Sequence, residues 1–109
     1  MSNPKILPAR SIIGRHVVNE WGIELGRIED MAIDADSGRI SYVVLVYRGS
    51  LGGADKYFAI PWDSRTFHPG SQEFILDIPR DLLEDATGFD KQRWPEAADP
   101  SWATQVYSS

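Results

Sequence analysis

Residues 22–62 of this chain have the sequence GIELGRIEDMAIDADSGRISYVVLVYRGSLGGADKYFAIPW. Short runs of apolar, β-branched and aromatic residues alternate here with polar segments that contain glycine. Such runs, bounded by turn residues, are typical of β-strands. Residues 16–20, just upstream, predict a further strand that forms a hairpin with residues 23–26. The stretch therefore predicts a small, curled antiparallel sheet and a mainly β fold.

The apolar alternation changes phase at Gly26. Ile23 and Leu25 share one parity, and Ile28 falls on the other. A strand keeps a period of two unless an extra residue interrupts it, and glycine enters the backbone conformation of such a bulge cheaply. We therefore expect a bulge or bend at Gly26, which would let the sheet close on itself.

The strand predicted from Arg39 to Tyr47 is apolar on both faces. Alternate positions divide its apolar residues into one set with Ile40, Tyr42, Val44 and Val46 and another with Val43, Leu45 and Tyr47. In a small barrel one face fills the core, and the outer face needs cover from a helix, the chain's own tail or a second subunit. The sequence leaves open which of the two faces lies inside.

Two polar segments connect the predicted strands, and each resembles a ligand loop only in part. The segment from Asp34 to Gly38 alternates oxygen-bearing side chains as a calcium loop does, but its glycine comes one position early and Leu45 occupies the closing position. The segment from Gly49 to Asp55 is glycine-rich and precedes Lys56, but it lacks the Gly-Lys-Ser/Thr sequence of a phosphate loop. We expect a tight turn at the first segment and a mobile connection at the second.

The periodicity changes after the strand predicted from Phe74 to Ile78. Residues 79–86 have proline and an acidic residue in the first turn, contain adjacent leucines and precede Gly88, which predicts a short helix that ends there. The polar tail beyond it carries Trp94 and Trp102. Large aromatic residues in a tail indicate that they cover apolar surface, either on the same domain or across a subunit interface.

Composition and charge restrict the classes of function. Hydrophobic residues make up 42% of the 109 residues and charged residues 25%, which is typical of one globular domain. The net charge of −5 and the scattered cations oppose binding to nucleic acid and to anionic membranes. No apolar stretch is long enough to cross a membrane, so we expect no integral membrane segment and take the cytoplasm as the default location. The absence of cysteine excludes disulfides and thiolate chemistry.

The residues that carry chemistry do not form a recognisable catalytic or metal-binding set. The two histidines, His16 and His68, lack the spacing of a zinc site. The acid pairs at residues 29–30 and 84–85 place neighbouring carboxylates on different sides of an element, so we expect them to face solvent. The sequence therefore predicts no catalytic residues, no metal and no cofactor, and the chain is expected not to be an enzyme.

Four segments together resemble the PRC-barrel domain family. They read IGRHVVN at residues 13–19, GIELGRIED at residues 22–30, DSGRISYVVL at residues 36–45 and FAIPW at residues 58–62. The resemblance implies a compact β-barrel of about six strands. In this family the domain occurs in the H subunit of photosynthetic reaction centres and in a ribosome maturation factor, where it binds other proteins. The family has no shared catalytic set, so none is carried over to this chain.

These observations divide the chain into an extended arm at residues 1–8, a PRC-barrel-like domain at residues 9–79, and a short helix with an aromatic C-terminal tail at residues 80–109. We expect a non-enzymatic protein–protein interaction module that self-associates as a homodimer and also binds an unidentified protein. The candidate interface residues belong to the two-faced strand and the tail, and they are Tyr42, Val44, Tyr47, Trp94, Trp102 and Val106. The alternative is a small-molecule or ion sensor that uses the loop from Gly49 to Asp55 as a lid.

Overall fold

A computed structural model describes residues 6–48, 55–62, 67–70, 72–86, 88–89 and 92–95. Its regular elements are α1 (Ala9–Ile12), β1 (His16–Val18), β2 (Glu24–Asp34), β3 (Arg39–Arg48), β4 (Asp55–Pro61), β5 (Phe67–Pro69), β6 (Phe74–Leu76) and α2 (Arg80–Asp85). The described part of the chain is therefore mainly β with short helices, as the sequence predicts. Apart from Asp55, the connection expected from Gly49 to Asp55 lies outside the described residues.

The strands form one sheet in the order β4-β3-β2-β1-β6-β5. Four of the five neighbouring pairs are antiparallel, but β1 and β6 are parallel, with Val17 opposite Phe74. The expectation of a purely antiparallel sheet is therefore wrong. Turn residues fix the direction of strands that follow each other along the chain, whereas β1 and β6 are separated by four strands, so no turn sets their relative direction.

The bulge expected at Gly26 is present. Gly26 pairs with Val17 of β1, and the register then skips Leu25. A β-carbon at Gly26 would lie 2.1 Å from the carbonyl oxygen of Val46 on β3, well inside contact distance. The backbones of β2 and β3 can therefore approach this closely only because residue 26 has no side chain.

The main core lies on one face of the sheet, and its residues show which face of β3 lies inside. On β3 this inner face carries Val43, Leu45 and Tyr47, each exposed by 1% or less. Leu83 of α2 packs into the same core and is fully buried. The six-residue helix α2 therefore closes part of the core with the buried Leu83 and the partly buried Leu82.

The two ends of the strand order approach each other through aromatic side chains. The ring of Trp62, directly after β4, lies 6.2 Å from the ring of Phe67 on β5 and 6.0 Å from that of Phe74 on β6. Phe67 and Phe74 stack with their centroids 5.1 Å apart. The sheet therefore curls around this aromatic group. No strand pairing among the described residues joins β4 to β5, so a hydrogen-bonded, closed barrel stays a prediction.

The turn expected after β2 is confirmed and is organised by Asp34. Its Oδ1 accepts hydrogen bonds from the backbone N–H groups of Asp36 and Ser37, at 2.9 and 3.3 Å. These bonds favour the carboxylate and hold the pKa of Asp34 below its usual value of 3.8. Gly38 supplies the positive φ of 78° that ends the turn. Within the described residues no group of three or more histidine, cysteine, aspartate or glutamate side chains could hold a metal ion.

Candidate interaction surface

A second apolar cluster lies on the side of the sheet opposite the main core. It consists of Tyr42 and Val44 on β3 and Ala59 on β4, which are 1%, 2% and 5% exposed. Val44 and Ala59 are register partners, so the cluster spans two adjacent strands. We call these three residues the outer face. Because they are buried and yet separate from the core, something other than the core must cover them.

The cover is a segment that follows α2, and we call its described residues, 88–89 and 92–95, the strap. Phe89 forms an isolated antiparallel bridge with Tyr57 at the outer edge of β4, and its N–H donates to the Tyr57 carbonyl at 2.7 Å. Gly88 has φ +77°, and a β-carbon there would lie 2.7 Å from the same carbonyl oxygen. The strap therefore enters along the β4 edge through a position that only glycine fits.

Contacts between aromatic rings hold the strap against the sheet from the β4 edge to Tyr42 on the outer face. The ring centroid of Phe89 lies 6.3 Å from that of Tyr57 and 6.4 Å from that of Trp94. Trp94 in turn lies 6.2 Å from Tyr42, whose hydroxyl donates to the Pro95 carbonyl at 2.8 Å. Tilted ring pairs at these distances are favourable beyond the area that they bury. Trp94 nevertheless stays 41% exposed, so its indole covers Tyr42 while part of it still faces water.

Burial has an electrostatic consequence for Tyr42. Removal of its hydroxyl from water disfavours the phenolate, which raises the pKa of Tyr42 above the usual value of 10.0. The neutral hydroxyl is the form that can donate to Pro95, so burial and the hydrogen bond favour the same protonation state.

Tyr47 lies on the inner face, away from the outer face and the strap. Its hydroxyl donates to the carboxylate of Glu84 on α2 and accepts from Arg80 Nε at 3.3 Å. The Arg80 guanidinium also lies 5.5 Å from the centroid of the Tyr47 ring. Glu84 is therefore half-buried and bonded, which corrects the expectation that the acid pair at residues 84–85 simply faces solvent.

Lys56 fixes the end of α2 against β4. Its Nζ donates to the backbone carbonyls of Leu83 and Glu84, at 3.3 and 2.5 Å. These carbonyls lie in the last turn of the helix, where a cation is favourable. The ammonium group that follows the glycine-rich segment in the sequence therefore holds α2 in place.

The structure brings together three of the six predicted interface residues. Tyr42, Val44 and Trp94 form one continuous surface, whereas Tyr47 lies on the opposite face and contacts α2. Trp102 and Val106 lie outside the described residues.

Sequence reasoning missed the other members of this surface, which are Ala32, Tyr57, Ala59, Phe89 and Pro95. One signal was available. Tyr57 and Ala59 share a parity on β4, and their register partners on β3, Val46 and Val44, belong to the same apolar set as Tyr42. The position of Phe89 directly after Gly88 did not reveal which strand edge it would reach.

A polar groove lies elsewhere on the sheet, beside the Gly26 bulge. Its volume is about 360 Å³, and it is lined by Gly26, Val46 and charged side chains from four strands, which are His16, Glu24, Arg27, Glu29, Arg48 and Asp55. Two pairs already exist within the groove, because His16 contacts Glu24 and Arg48 Nε lies 3.5 Å from Asp55 Oδ1. The side chain of His16 is therefore placed as a partner of Glu24.

A family model identifies the fold that carries this surface. The model of the PRC-barrel domain matches residues 4–83 of the 109. The chain belongs to the PRC-barrel family. The match ends before the strap, so the strap-covered surface of this PRC-barrel protein lies partly outside the segment that defines its family.

One solved structure similar to the PRC-barrel protein comes from Pseudomonas aeruginosa and is described as a putative 16S ribosomal RNA processing protein, RimM. The sequences are 16% identical, the TM-score is 0.46, and the similarity covers 69% of this chain and 45% of the other. The PRC-barrel protein thus matches less than half the length of that protein. No curated protein matches the sequence.

Two further expectations concern nucleic acid as a partner and the presence of a membrane-spanning segment. The exclusion of nucleic acid as a partner is corrected, because a structurally similar protein is described by a role in ribosomal RNA processing. That likeness assigns no RNA role to this chain. Neither of the helices in the described residues is long and apolar enough to span a bilayer.

Proposed function

We propose that this PRC-barrel protein is a non-enzymatic interaction module that self-associates as a homodimer through the outer face and its strap. The observation that carries the proposal is the outer face itself, an apolar surface whose cover includes a tryptophan that is still 41% exposed. Tryptophan and tyrosine are enriched among the few residues that supply most of the binding energy of protein interfaces.

The exposed part of Trp94 supplies a useful driving force. A tryptophan side chain has about 250 Å² of surface, so its exposed fraction corresponds to about 100 Å² per copy. At about 25 cal/mol per Å², burial of that area against a second copy contributes about 2.5 kcal/mol for each chain. In a two-fold symmetric contact the contribution occurs twice, since the same patch is used by both subunits.

Sedimentation of the intact chain at micromolar concentration tests the proposal. We expect a species of twice the chain mass of 12.2 kDa. Trp94→Ala removes an indole from both copies, and at roughly 2 kcal/mol for each buried interface indole it should raise the Kd of the dimer by about 1,000-fold.

The matched control is Trp21→Ala. Trp21 is 65% exposed in the turn between β1 and β2, so its removal deletes an indole far from the outer face. A single-chain mass for the unchanged protein would overturn the proposal. Equal weakening by both substitutions would show that the outer face is not the interface.

A second candidate function, a sensor for a small molecule or ion, is favoured by the position of the polar groove. Arg48, directly before the loop expected to act as a lid in such a sensor, and Asp55, the last residue of that loop, both line the groove. A ligand at a hundredfold excess over its Kd would stabilise the fold by about 2.7 kcal/mol, which a thermal-shift screen of metals, nucleotides and common metabolites would detect. Arg48→Ala should abolish any shift that arises in the groove, and a screen without any shift counts against the sensor.

A further inference from the structure

We propose that the strap exchanges between the two copies of the dimer, so that Phe89 and Trp94 of one copy cover the outer face of the other. This inference rests on the proposed self-association and specifies its geometry. It assigns the outer face and the adjoining edge of β4 as a site for an extended, aromatic segment, and it identifies that segment as the strap of a second copy.

The contacts of the strap define the chemistry of the site. The segment is held by one backbone hydrogen bond to the β4 edge, by rings at Tyr57 and Tyr42, and by the Tyr42 hydroxyl on a backbone carbonyl. These contacts combine a main-chain bond to a sheet edge with side-chain contacts, as recognition by β-strand addition does. A second copy offers an identical edge and identical rings, so every one of these contacts can be made between chains as well as within one.

The connection between α2 and the strap is short, and the described residues on either side of it are constrained. Lys56 holds the carbonyls of Leu83 and Glu84, so α2 stays with its own sheet. Helix α2 ends at Asp85, Ala86 is already extended, and Gly88 passes close to the Tyr57 carbonyl with the positive φ described above, so that the next N–H can donate to it. Short hinges under constraint favour exchange between copies, because a strap that extends to a second copy makes the same contacts while its hinge is relaxed.

The balance between the closed and the exchanged forms then depends on two quantities. Closure within one chain benefits from an effective concentration in the millimolar range, as is typical of short connections. Exchange relaxes the hinge and brings two outer faces together, which lets the exposed side of Trp94 become buried. The exchanged form is therefore expected to increase with protein concentration and to disappear when the hinge is lengthened.

Cysteine cross-linking tests the exchange directly, because the natural chain contains no cysteine. Residues 57 and 89 form an antiparallel bridge, and the Cα separation of such a pair suits a disulfide. A chain with Tyr57→Cys is mixed with a chain with Phe89→Cys at micromolar concentration and oxidised. We expect a disulfide-linked species of two chains on non-reducing gels.

The controls separate exchange from random collision. Ile23→Cys is exposed in the turn before β2, and its mixture with Phe89→Cys should give at least about tenfold less cross-linked product. The double variant with both Tyr57→Cys and Phe89→Cys in one chain reports whether the pair can bond at all. If the double variant forms its disulfide within one chain and the mixture gives no more product than the Ile23→Cys control, the exchange is wrong.

A second measurement does not depend on the substituted aromatic residues. Insertion of Gly-Ser-Gly after Ala86 lengthens the hinge and should convert the dimer to a single chain in sedimentation at the same concentration. A dimer that persists with the longer hinge overturns the exchange but leaves the proposed self-association intact. A natural chain that is already monomeric overturns both.

Discussion

Substitution of Gly26 by alanine tests whether the close approach of β2 and β3 determines the stability of the fold. The new β-carbon would lie 2.1 Å from the Val46 carbonyl oxygen, 3.0 Å from its carbon and 3.2 Å from Leu45 Cδ1. Two of these atoms belong to the backbone of a central strand, so they cannot rotate away. The strands must therefore separate by about 1 Å, which stretches the neighbouring ladder hydrogen bonds beyond bonding distance.

The size of the effect follows from these contacts. Overpacking of a tight site costs about 1–3 kcal/mol, and the loss of two backbone hydrogen bonds adds about 1 kcal/mol each. We expect Gly26→Ala to lower the free energy of unfolding by about 3–5 kcal/mol. For a domain of this size that corresponds to a decrease in Tm of about 15–25 °C.

Gly38→Ala is the matched control. Gly26 and Gly38 both have a positive φ, 155° and 78°, but no heavy atom lies within 4 Å of the position that a β-carbon would occupy at Gly38. Alanine at this residue should cost only the backbone strain, about 1 kcal/mol. Guanidinium denaturation followed by tryptophan fluorescence measures both variants. If the two substitutions cost the same within about 0.5 kcal/mol, the steric argument is refuted.

Two further predictions concern α2 and the outer face. Leu83→Ala should lower the free energy of unfolding by about 2–5 kcal/mol, because Leu83 is fully buried. The same change at the partly buried Leu82 should lower it clearly less. Equal losses in denaturant titrations would contradict this role of α2. Because burial raises the pKa of Tyr42 above 10.0, its contribution to stability should be constant below pH 10 and be lost as the pH rises through the folded-state pKa. Tyr42→Phe should remove this part of the pH dependence. At about pH 8 it should also lower the free energy of unfolding by about 1 kcal/mol, because the hydrogen bond to Pro95 is lost. Urea titrations of both proteins from about pH 8 to pH 11 measure this, and an equal loss of stability in the two would contradict the prediction.

The local features of the fold were predictable from the sequence because neighbouring residues determine them. The phase change at Gly26 indicated the bulge, and Asp34 with Gly38 indicated the turn after β2. The two apolar faces of β3 likewise predicted both the core and a second covered surface. Each of these features depends on residues within one strand or one turn.

The features that the sequence did not predict depend on residues far apart in the chain. The parallel pairing of β1 with β6 follows from the path of the whole sheet and has no local signature. The hydrogen bond from Tyr47 to Glu84 joins the inner face of a strand to a helix. Sequence periodicity predicts each of these elements separately and does not predict contacts between them. For the outer face, the sequence predicted the need for cover and the aromatic tail, but it did not identify Phe89 as the residue that reaches β4.

The parallel pair also has a consequence for the order in which the chain folds. Strands β1 to β4 can zip together through successive hairpins, which form quickly because their partners are near in the chain. The free edge of β1, by contrast, must wait for Phe74 and Ile75, which come much later in the chain. During synthesis on the ribosome, we therefore expect the growing polypeptide to expose an unpaired strand edge until β6 emerges, and exposed edges of this kind promote aggregation.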